Sequence, residues 1–506
     1  MRVLLTTLNA KYIHSNLALK YVYCLLTEAN LDVDVHIEEF TINNEQALIY
    51  NKILREGYDL VCFSCYIWNI ESIRTLSRNL KKARPDMKIL MAGPEVSYDS
   101  LEFMYQNPWI DYIISGEGEK DLVDFVRAFA EGRKDLRQVH SLWYWDGKYV
   151  ENTQEGPPVS LDDLPFPYTY MELEDNKIIY YEASRGCPFH CSYCLSAVSD
   201  GVRPVSMEKL RRDIGYFLYK AVPQVKFLDR TFNYDGARAR EIWRFLMDRD
   251  NGVTNFHFEI CADLLGEEDF RLLREARKGL FQFEVGVQST DEAALGFVRR
   301  KNVTEKTLAN IRSLAALGNA HVHADLIAGL PGEDYHTFGK SFDQLYACRA
   351  DHLQLGFLKL LKGTPLRESA FEHDYVYMEE APYEVIASRY MRSIDLAKLK
   401  MVAKVLDLFH NRGGFQRTLA GFCEEMSLTP FHMYEMLADH YFGKGYDMAA
   451  HKKEDLYRII HQVAERYEDR YPGLLAKIER YLSLDMIDTL KPEVVDRFMR
   501  KGWTIR

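Results

Sequence analysis

Between about Ile178 and Leu366 the chain alternates strand-like and helix-like segments, and this alternation limits its fold more than any other feature. The apolar runs are IIYYEASRG, VKFLDRTF, FHFEICADL, FQFEVGVQS, HVHADLIAGL and HLQLGFLKLL, all rich in β-branched and aromatic residues. Between them lie MEKLRRDIGYFLYKA, ARAREIWRFLMDR, EEDFRLLREARK, TEKTLANIRSLAAL and YHTFGKSFDQLYAC, with helical periodicity. Short apolar runs separated by helices indicate strands of a parallel sheet buried on both faces. We expect an α/β unit of six strands, each followed by a helix or loop.

The N-terminal region shows the same grammar. RVLLTTL, LDVDVHI, YDLVCFSCY, MKILMAG and IDYIISG read as five parallel strands, and GEGEKDLVDFVRAFAEG opens a helix after the last. This predicts a doubly wound, Rossmann-like domain over residues 1–135, with its ligand outside the C-terminal strand ends. No G-x-G-x-x-G follows the first strand, which argues against a nicotinamide cofactor. Residues 136–172 read as a hairpin around Asp146-Gly147 and a Pro-rich linker, followed by the six-strand unit over 173–372. From His373 to Arg506 the periodicity is helical, and this region carries no recognisable motif.

Composition narrows the function. The 506 residues include 47% hydrophobic and 27% charged ones, the balance of a globular protein. No apolar run approaches the roughly 18 residues that a membrane span needs. The N-terminus does not read as a signal peptide, so the expected location is the cytoplasm. The net charge of −11 does not indicate a nucleic-acid partner, although a local basic patch stays open.

Nine cysteines, an odd number, do not suggest a disulfide framework. Cys62 and Cys65 form a C-x-x-C, but within a buried strand, where they read as small core residues. Cys187, Cys191 and Cys194 are different. They fall in SRGCPFHCSYC with spacing C-x-x-x-C-x-x-C, and no fourth Cys or His lies at zinc-finger spacing. Three thiolates on one loop can hold three irons of a [4Fe–4S] cube and leave the fourth open to a small molecule.

This loop, with an aromatic residue before its last cysteine, resembles the cluster-binding signature of the radical S-adenosylmethionine (SAM) superfamily. The resemblance implies a partial (β/α)6 barrel of TIM type. It also implies SAM chelated by the open iron and cleaved, after electron transfer, to a 5′-deoxyadenosyl radical. In parallel barrels the chemistry sits at the C-terminal strand ends. FLDRTFN, FEVGVQS, LIAGLPGED and KGTPL resemble the superfamily's motifs at those ends. The resemblance implies SAM contacts from Tyr193, Asp229, Glu259, Gln288, Ser289, Arg300, Ile327, Gly329 and Pro331. A salt bridge from Asp229 to Arg230 is the competing reading of that carboxylate, and pairing within the barrel that of Glu259. Arg300 matches an arginine that often pairs with the SAM carboxylate, adjacent Arg299 is the other register, and a solvated helix-end charge is the competing reading.

The N-terminal domain, through its strand order and the phrases AGPEVS and SGEGE, resembles the cobalamin-binding domain fused to many radical SAM enzymes. The cobalt-ligating D-x-H-x-x-G motif is absent. The resemblance implies cobalamin contacts from Asn9, His14, Tyr66, Gly93, Pro94, Glu95, Gly116, Glu117, Gly118 and Glu119. Glu119 could equally cap its own helix. The implied cofactors are a [4Fe–4S] cluster, SAM and cobalamin, and the implied partner is an external reductant such as flavodoxin or ferredoxin. The implied activity is methyl transfer to an unactivated carbon of an unknown substrate. Cyclisation or rearrangement, RNA modification and a non-catalytic corrinoid sensor remain alternatives. If the linker docks the two strand-end faces together, Asn9, Tyr66 and Gly93 face the cysteine loop across a shared pocket.

Overall fold

The computed structural model describes residues 1–197 and 201–500. The first sheet contains β1 (Arg2–Asn9), β2 (Asp34–Thr41), β3 (Leu60–Ser64), β4 (Lys88–Ala92) and β5 (Tyr112–Ile114). These five are parallel in the order β2-β1-β3-β4-β5, a doubly wound arrangement. The Asp146-Gly147 hairpin is not a free linker. Its strands β6 (Leu142–Asp146) and β7 (Tyr149–Asn152) extend the same sheet antiparallel to β5, giving seven strands.

Successive side chains of this sheet enter two cores. Leu4, Val61, Phe63, Ile89 and Met91 pack on one face, and Val3, Leu5, Leu60, Cys62 and Leu90 on the other. Helices cover both faces, so apolar residues occupy both sides of each strand.

The second sheet is built from β8 (Ile179–Tyr181), β11 (Gln224–Phe227), β12 (Asn255–Ile260), β13 (Phe281–Gln288), β14 (His321–Ala328) and β15 (His352–Phe357). All pair in parallel, each with the next in sequence, so β8 and β15 are the edges of a six-stranded partial barrel. Between β8 and β11, the short antiparallel pair β9 (Ser184–Gly186) and β10 (Val202–Pro204) closes the base of the cysteine loop. Gly186 is required there: its φ is 101°, and a Cβ would meet the Gly201 carbonyl oxygen at 2.1 Å.

These barrel strands are not buried on both faces as their composition suggests. In β13, buried and half-buried residues alternate. Phe227, Phe256, Phe258, Phe281 and Phe283 join the core under the helices, while Lys226, His257, Glu259 and Glu284 occupy the alternate positions. Helix starts are fixed by side-chain caps at Ser206, Asp235, Asp291 and Asp334, each accepting from backbone N–H groups of the first turn.

Beyond the barrel, helicity begins later than His373. Val376–Tyr377 and Val385–Ala387 form a small antiparallel pair, and the first long helix spans Ser393–Leu406. It continues as a π-helical turn, Asp407–Asn411, and ends at Gly413-Gly414, both with positive φ. The Asn411 amide closes the barrel's open edge, donating to the Leu353 carbonyl at 2.9 Å and accepting from the Leu353 N–H at 3.0 Å. Among the described residues no helix is long and apolar enough to cross a membrane.

Candidate functional site

The strand order of the first sheet reverses between β1 and β3, and this is where a doubly wound domain leaves a crevice for its ligand. Buried Asn69 knits the two strand ends, donating to the Leu8 carbonyl at 3.1 Å and the Ser64 carbonyl at 3.2 Å. The C-terminal rim of the barrel sheet faces this crevice. Together they enclose a cavity of about 660 Å3. Asn9, His14, Tyr66, Pro94 and Glu119 line it from the first sheet. Tyr180, Lys226, Arg230 and Glu259 line it from the barrel, and Gly186, Leu195 and Ser196 from the cysteine loop. The strand ends of both sheets therefore open on one space.

Contacts around the cavity hold the two sheets together. Tyr180 hydroxyl and His14 Nδ1 lie 2.6 Å apart, and the Ile178 N–H donates to the Ile13 carbonyl at 2.8 Å. Arg185 is a half-buried hub that donates to Glu182 and Glu119, each at 2.8 Å, and lies 3.4 Å from Glu117. The linker bridges both domains: Asp163 pairs with Lys120 at 2.8 Å, and Asp162 accepts from the Ser206 N–H at 2.9 Å.

The cysteine loop is pinned at its centre. The Ser192 N–H donates to the Val298 carbonyl and the Leu366 N–H to the Ser192 carbonyl, both at 2.9 Å. Cys187 and Cys191 are buried and Cys194 is half-buried, all as free thiols. Cys187 Sγ lies 3.5 Å from the Thr231 hydroxyl. Burial pushes the Cys191 thiol up, and the Arg300 guanidinium only partly offsets this. Among the described residues, no three His, Cys, Asp or Glu side chains form a group that could hold one metal ion. A [4Fe–4S] cube makes a different demand, because each thiolate takes its own iron. Three ionisable thiols on a braced loop, backed by the half-buried Arg300 cation, fit that demand. On the opposite wall, Glu119 Oε2 is buried without a partner, and Tyr66 lies flat on Trp68 with ring centroids 4.5 Å apart. An orphan polar atom and a planar aromatic surface at the switch-point crevice fit a large, partly polar ring ligand.

The sequence-predicted SAM residues separate into two groups. Glu259 lines the cavity, 3.9 Å from both Lys226 and Arg230, and burial raises its carboxyl. Tyr193 accepts from Arg300 at 3.3 Å behind the cluster loop. Gln288 lies at the end of β13 with φ 73° and a buried, unpartnered Oε1. Ile327 is half-buried on β14, Gly329 has φ 94° and Pro331 is buried in the following turn. Asp229 and Ser289 are engaged elsewhere. Asp229 does not pair with Arg230. It is buried, accepts from the Ala183 N–H at 2.9 Å and the Ser184 hydroxyl at 2.5 Å, and is pushed up to about 7 by burial. Ser289 donates to buried Glu333 at 2.6 Å.

The cobalamin residues also separate. Asn9, His14, Tyr66, Pro94 and Glu119 line the cavity. Glu95 turns away from it: its carboxylate is buried and accepts from the Tyr383 hydroxyl at 2.8 Å. Glu117 accepts from Arg203 and, at 3.0 Å, from the Val159 N–H. Both acids tie neighbouring segments together: buried Glu95 needs a donor, which Tyr383 supplies, and half-buried Glu117 is held by Arg203 and the linker N–H of Val159. Gly93, with φ 109°, packs its Cα against the Cys65 carbonyl, where a Cβ would come within 2.6 Å. Gly116, with φ 71°, donates its N–H to the Ser97 hydroxyl at 3.1 Å. Gly118 precedes the helix Glu119–Ala130.

Sequence reasoning missed Tyr180, Arg185 and Lys226. Arg185 stands inside the quoted cysteine motif, and Tyr180 and Lys226 occupy alternate positions of apolar strands, so a period-two reading would have exposed them.

Comparison with known proteins agrees with this geometry. The model of the B12 binding domain matches residues 3–126 and that of the radical SAM superfamily residues 181–345. A third, described as a protein of unknown function (DUF4080), matches residues 371–504. The cobalamin-dependent radical SAM methyltransferase TokK of Streptomyces tokunonensis is 23% identical over 337 residues, 61% of this chain and 48% of that protein. The anaerobic magnesium-protoporphyrin IX monomethyl ester cyclase of Rubrivivax gelatinosus is 26% identical over 288 residues, 52% of this chain and 49% of that protein. The chain thus spans about half the length of these curated relatives. The solved structure of the cobalamin-dependent S-adenosylmethionine radical enzyme OxsB, with aqua-cobalamin and S-adenosylmethionine bound, shares the fold. It covers 99% of this chain and 84% of its own with a TM-score of 0.64, at 16% identity. The chain therefore carries a B12 binding domain followed by a radical SAM domain.

Proposed function

We propose that this chain is a cobalamin-dependent radical SAM methyltransferase acting on an unactivated carbon. The observation that carries the reading is the single cavity onto which the switch-point crevice of the first sheet and the cysteine loop of the second both open. When bound, a [4Fe–4S] cluster with SAM supplies a 5′-deoxyadenosyl radical and a corrinoid supplies a transferable methyl group.

The protein's own share is placement. Cys187, Cys191 and Cys194 would hold the cluster, and Asn9, Tyr66 and Pro94 the corrinoid. The His14–Tyr180 contact and the Arg185 hub tie the walls of the cavity together, and a substrate carbon would be held between them. An external low-potential donor such as flavodoxin or ferredoxin would supply the electron. The likeness to TokK supports methyl transfer. The likeness to the cyclase supports a second reading, radical cyclisation or rearrangement on the same scaffold.

Anaerobic incubation of the reconstituted full chain with SAM and reductant distinguishes these readings. Methyl transfer yields both 5′-deoxyadenosine and S-adenosylhomocysteine. Cyclisation or rearrangement yields 5′-deoxyadenosine alone. A non-catalytic corrinoid sensor yields neither, and that result would overturn the proposal.

A further inference from the structure

Arg300 is a half-buried cation whose Nε is fully buried, with no acid against it among the described residues. Its Nη1 donates to Cys191 Sγ at 3.8 Å and to the Tyr193 hydroxyl at 3.3 Å, and its Nη2 donates to the Gly286 carbonyl. Nε is buried with no partner, and no carboxylate forms an ion pair with the guanidinium among the described residues. A buried, uncompensated charge is strongly destabilising unless something anionic is placed against it.

The placement is fixed by the backbone. The segment carrying Arg300 is tied to the cysteine loop through the Val298 carbonyl and the Ser192 N–H, and the Arg300 N–H donates to the Leu295 carbonyl at 2.9 Å. Gly286 leaves room for the Gln288 amide beside the guanidinium. A Cβ there would stand 3.8 Å from Arg300 Nη2 and 2.2 Å from Gln288 Nε2.

We propose that Arg300 is a positioning residue that raises the reduction potential of the cluster on the Cys187–Cys191–Cys194 loop, through its charge against the Cys191 sulfur. This rests on the cluster reading of the loop given above. Reduction moves one electron from an external low-potential donor, such as a flavodoxin hydroquinone, to the cluster, and no bond forms or breaks. The cluster gains one negative charge, and a fixed cation on a ligand sulfur stabilises that state more than the oxidised one. Hydrogen bonds to the sulfurs and local charge are established determinants of such potentials.

The test is an EPR-monitored redox titration of the anaerobically reconstituted full chain without SAM, alongside iron analysis. Arg300→Met removes charge and donors, and Arg300→Lys keeps the charge. The expected result is a more negative midpoint for Arg300→Met at wild-type iron content, with most of the shift recovered in Arg300→Lys. An unshifted midpoint in an iron-loaded Arg300→Met overturns the proposal, as does an equal shift in both variants. If neither variant takes up iron, Arg300 is a structural residue of the loop and the proposal fails. A wild-type chain that holds no cluster overturns the reading of the three cysteines and this proposal with it.

Discussion

The two parallel sheets use the same strand grammar to opposite ends. In the first, β1 and β3 are buried almost throughout, because helices cover both faces. In the second, β13 and β14 alternate, with phenylalanines and aliphatics under the helices and Glu284, His323 and Asp325 on the inner face. The first sheet therefore offers a ligand only its loop ends, which is how Asn9, Tyr66 and Pro94 reach the cavity. The barrel offers loop ends and an ionisable interior, where Lys226 lies 3.1 Å and His257 2.9 Å from Glu284. A closed double layer is a platform, and a sheet with one open face is a vessel.

The largest effect that can break this comparison lies on the barrel rim. Cys187→Ala, Cys191→Ala and Cys194→Ala are each expected to abolish the cluster, measured as iron content and visible absorbance after anaerobic reconstitution. Cobalamin binding by the platform should survive. Full cluster retention in the triple variant would sink the assignment.

The next effect separates the two faces of a single strand. Phe283 is completely buried among aromatic neighbours, with Trp243 at 5.9 Å between ring centroids. Phe283→Ala should lower stability by about 3–5 kcal/mol in denaturant titrations. Glu284→Gln, one residue along and on the lumen face, should act mainly through pH. Burial opposes the Glu284 charge, but the His257 hydrogen bond and the Lys226 ammonium outweigh it and hold the carboxyl down at about 2. A depressed folded pKa gives stability that is present above the unfolded value and lost as pH falls. The wild-type chain should therefore weaken between about pH 4 and pH 2, and Glu284→Gln should flatten that decline. Equal losses at neutral pH for the two variants would erase the distinction between the faces.

A smaller effect belongs to the seam between platform and vessel. Tyr383→Phe leaves buried Glu95 without its hydroxyl donor, which should cost about 1–3 kcal/mol in thermal or chemical melts. An unchanged melt would mean that the Glu95–Tyr383 contact does not hold the domains.

The finest test uses Asp229, held at about 7 by burial with neutral donors. A raised carboxyl pKa gives stability that is full below the unfolded value and lost as pH rises through the folded one. The cofactor-free chain should lose stability from about pH 4 to pH 7, and Asp229→Asn should remove that slope. A slope that persists in the variant would assign it to other groups.

What could be read in the sequence was local. The cysteine spacing lies within eleven residues, and the strand-helix alternation repeats every few tens of residues, so both are visible without knowing what touches what. The composition of the barrel strands drew attention to their apolar half and hid the alternate polar half, although FQFEVGVQ and HVHADLIA carry the period-two pattern plainly. The docking of the two strand-end faces was expected, but the side-chain contacts that make the seam were not legible. His14 and Tyr180 are 166 positions apart, and Glu95 and Tyr383 are 288 apart. Only the docking of whole domains decides whether such side chains meet, so Glu95 looked like a ligand contact and is an interdomain brace.

The central claim is that both strand-end faces serve one reaction space, and magnetic interaction between their cofactors measures it directly. The reconstituted full chain would be reduced to hold a [4Fe–4S]+ cluster and cob(II)alamin together, and its EPR spectrum compared with those of samples carrying each cofactor alone. The account predicts spectra broadened or split by spin–spin coupling, with the effect lost in the triple cysteine variant. A spectrum equal to the sum of two non-interacting centres, with both cofactors bound, would contradict it.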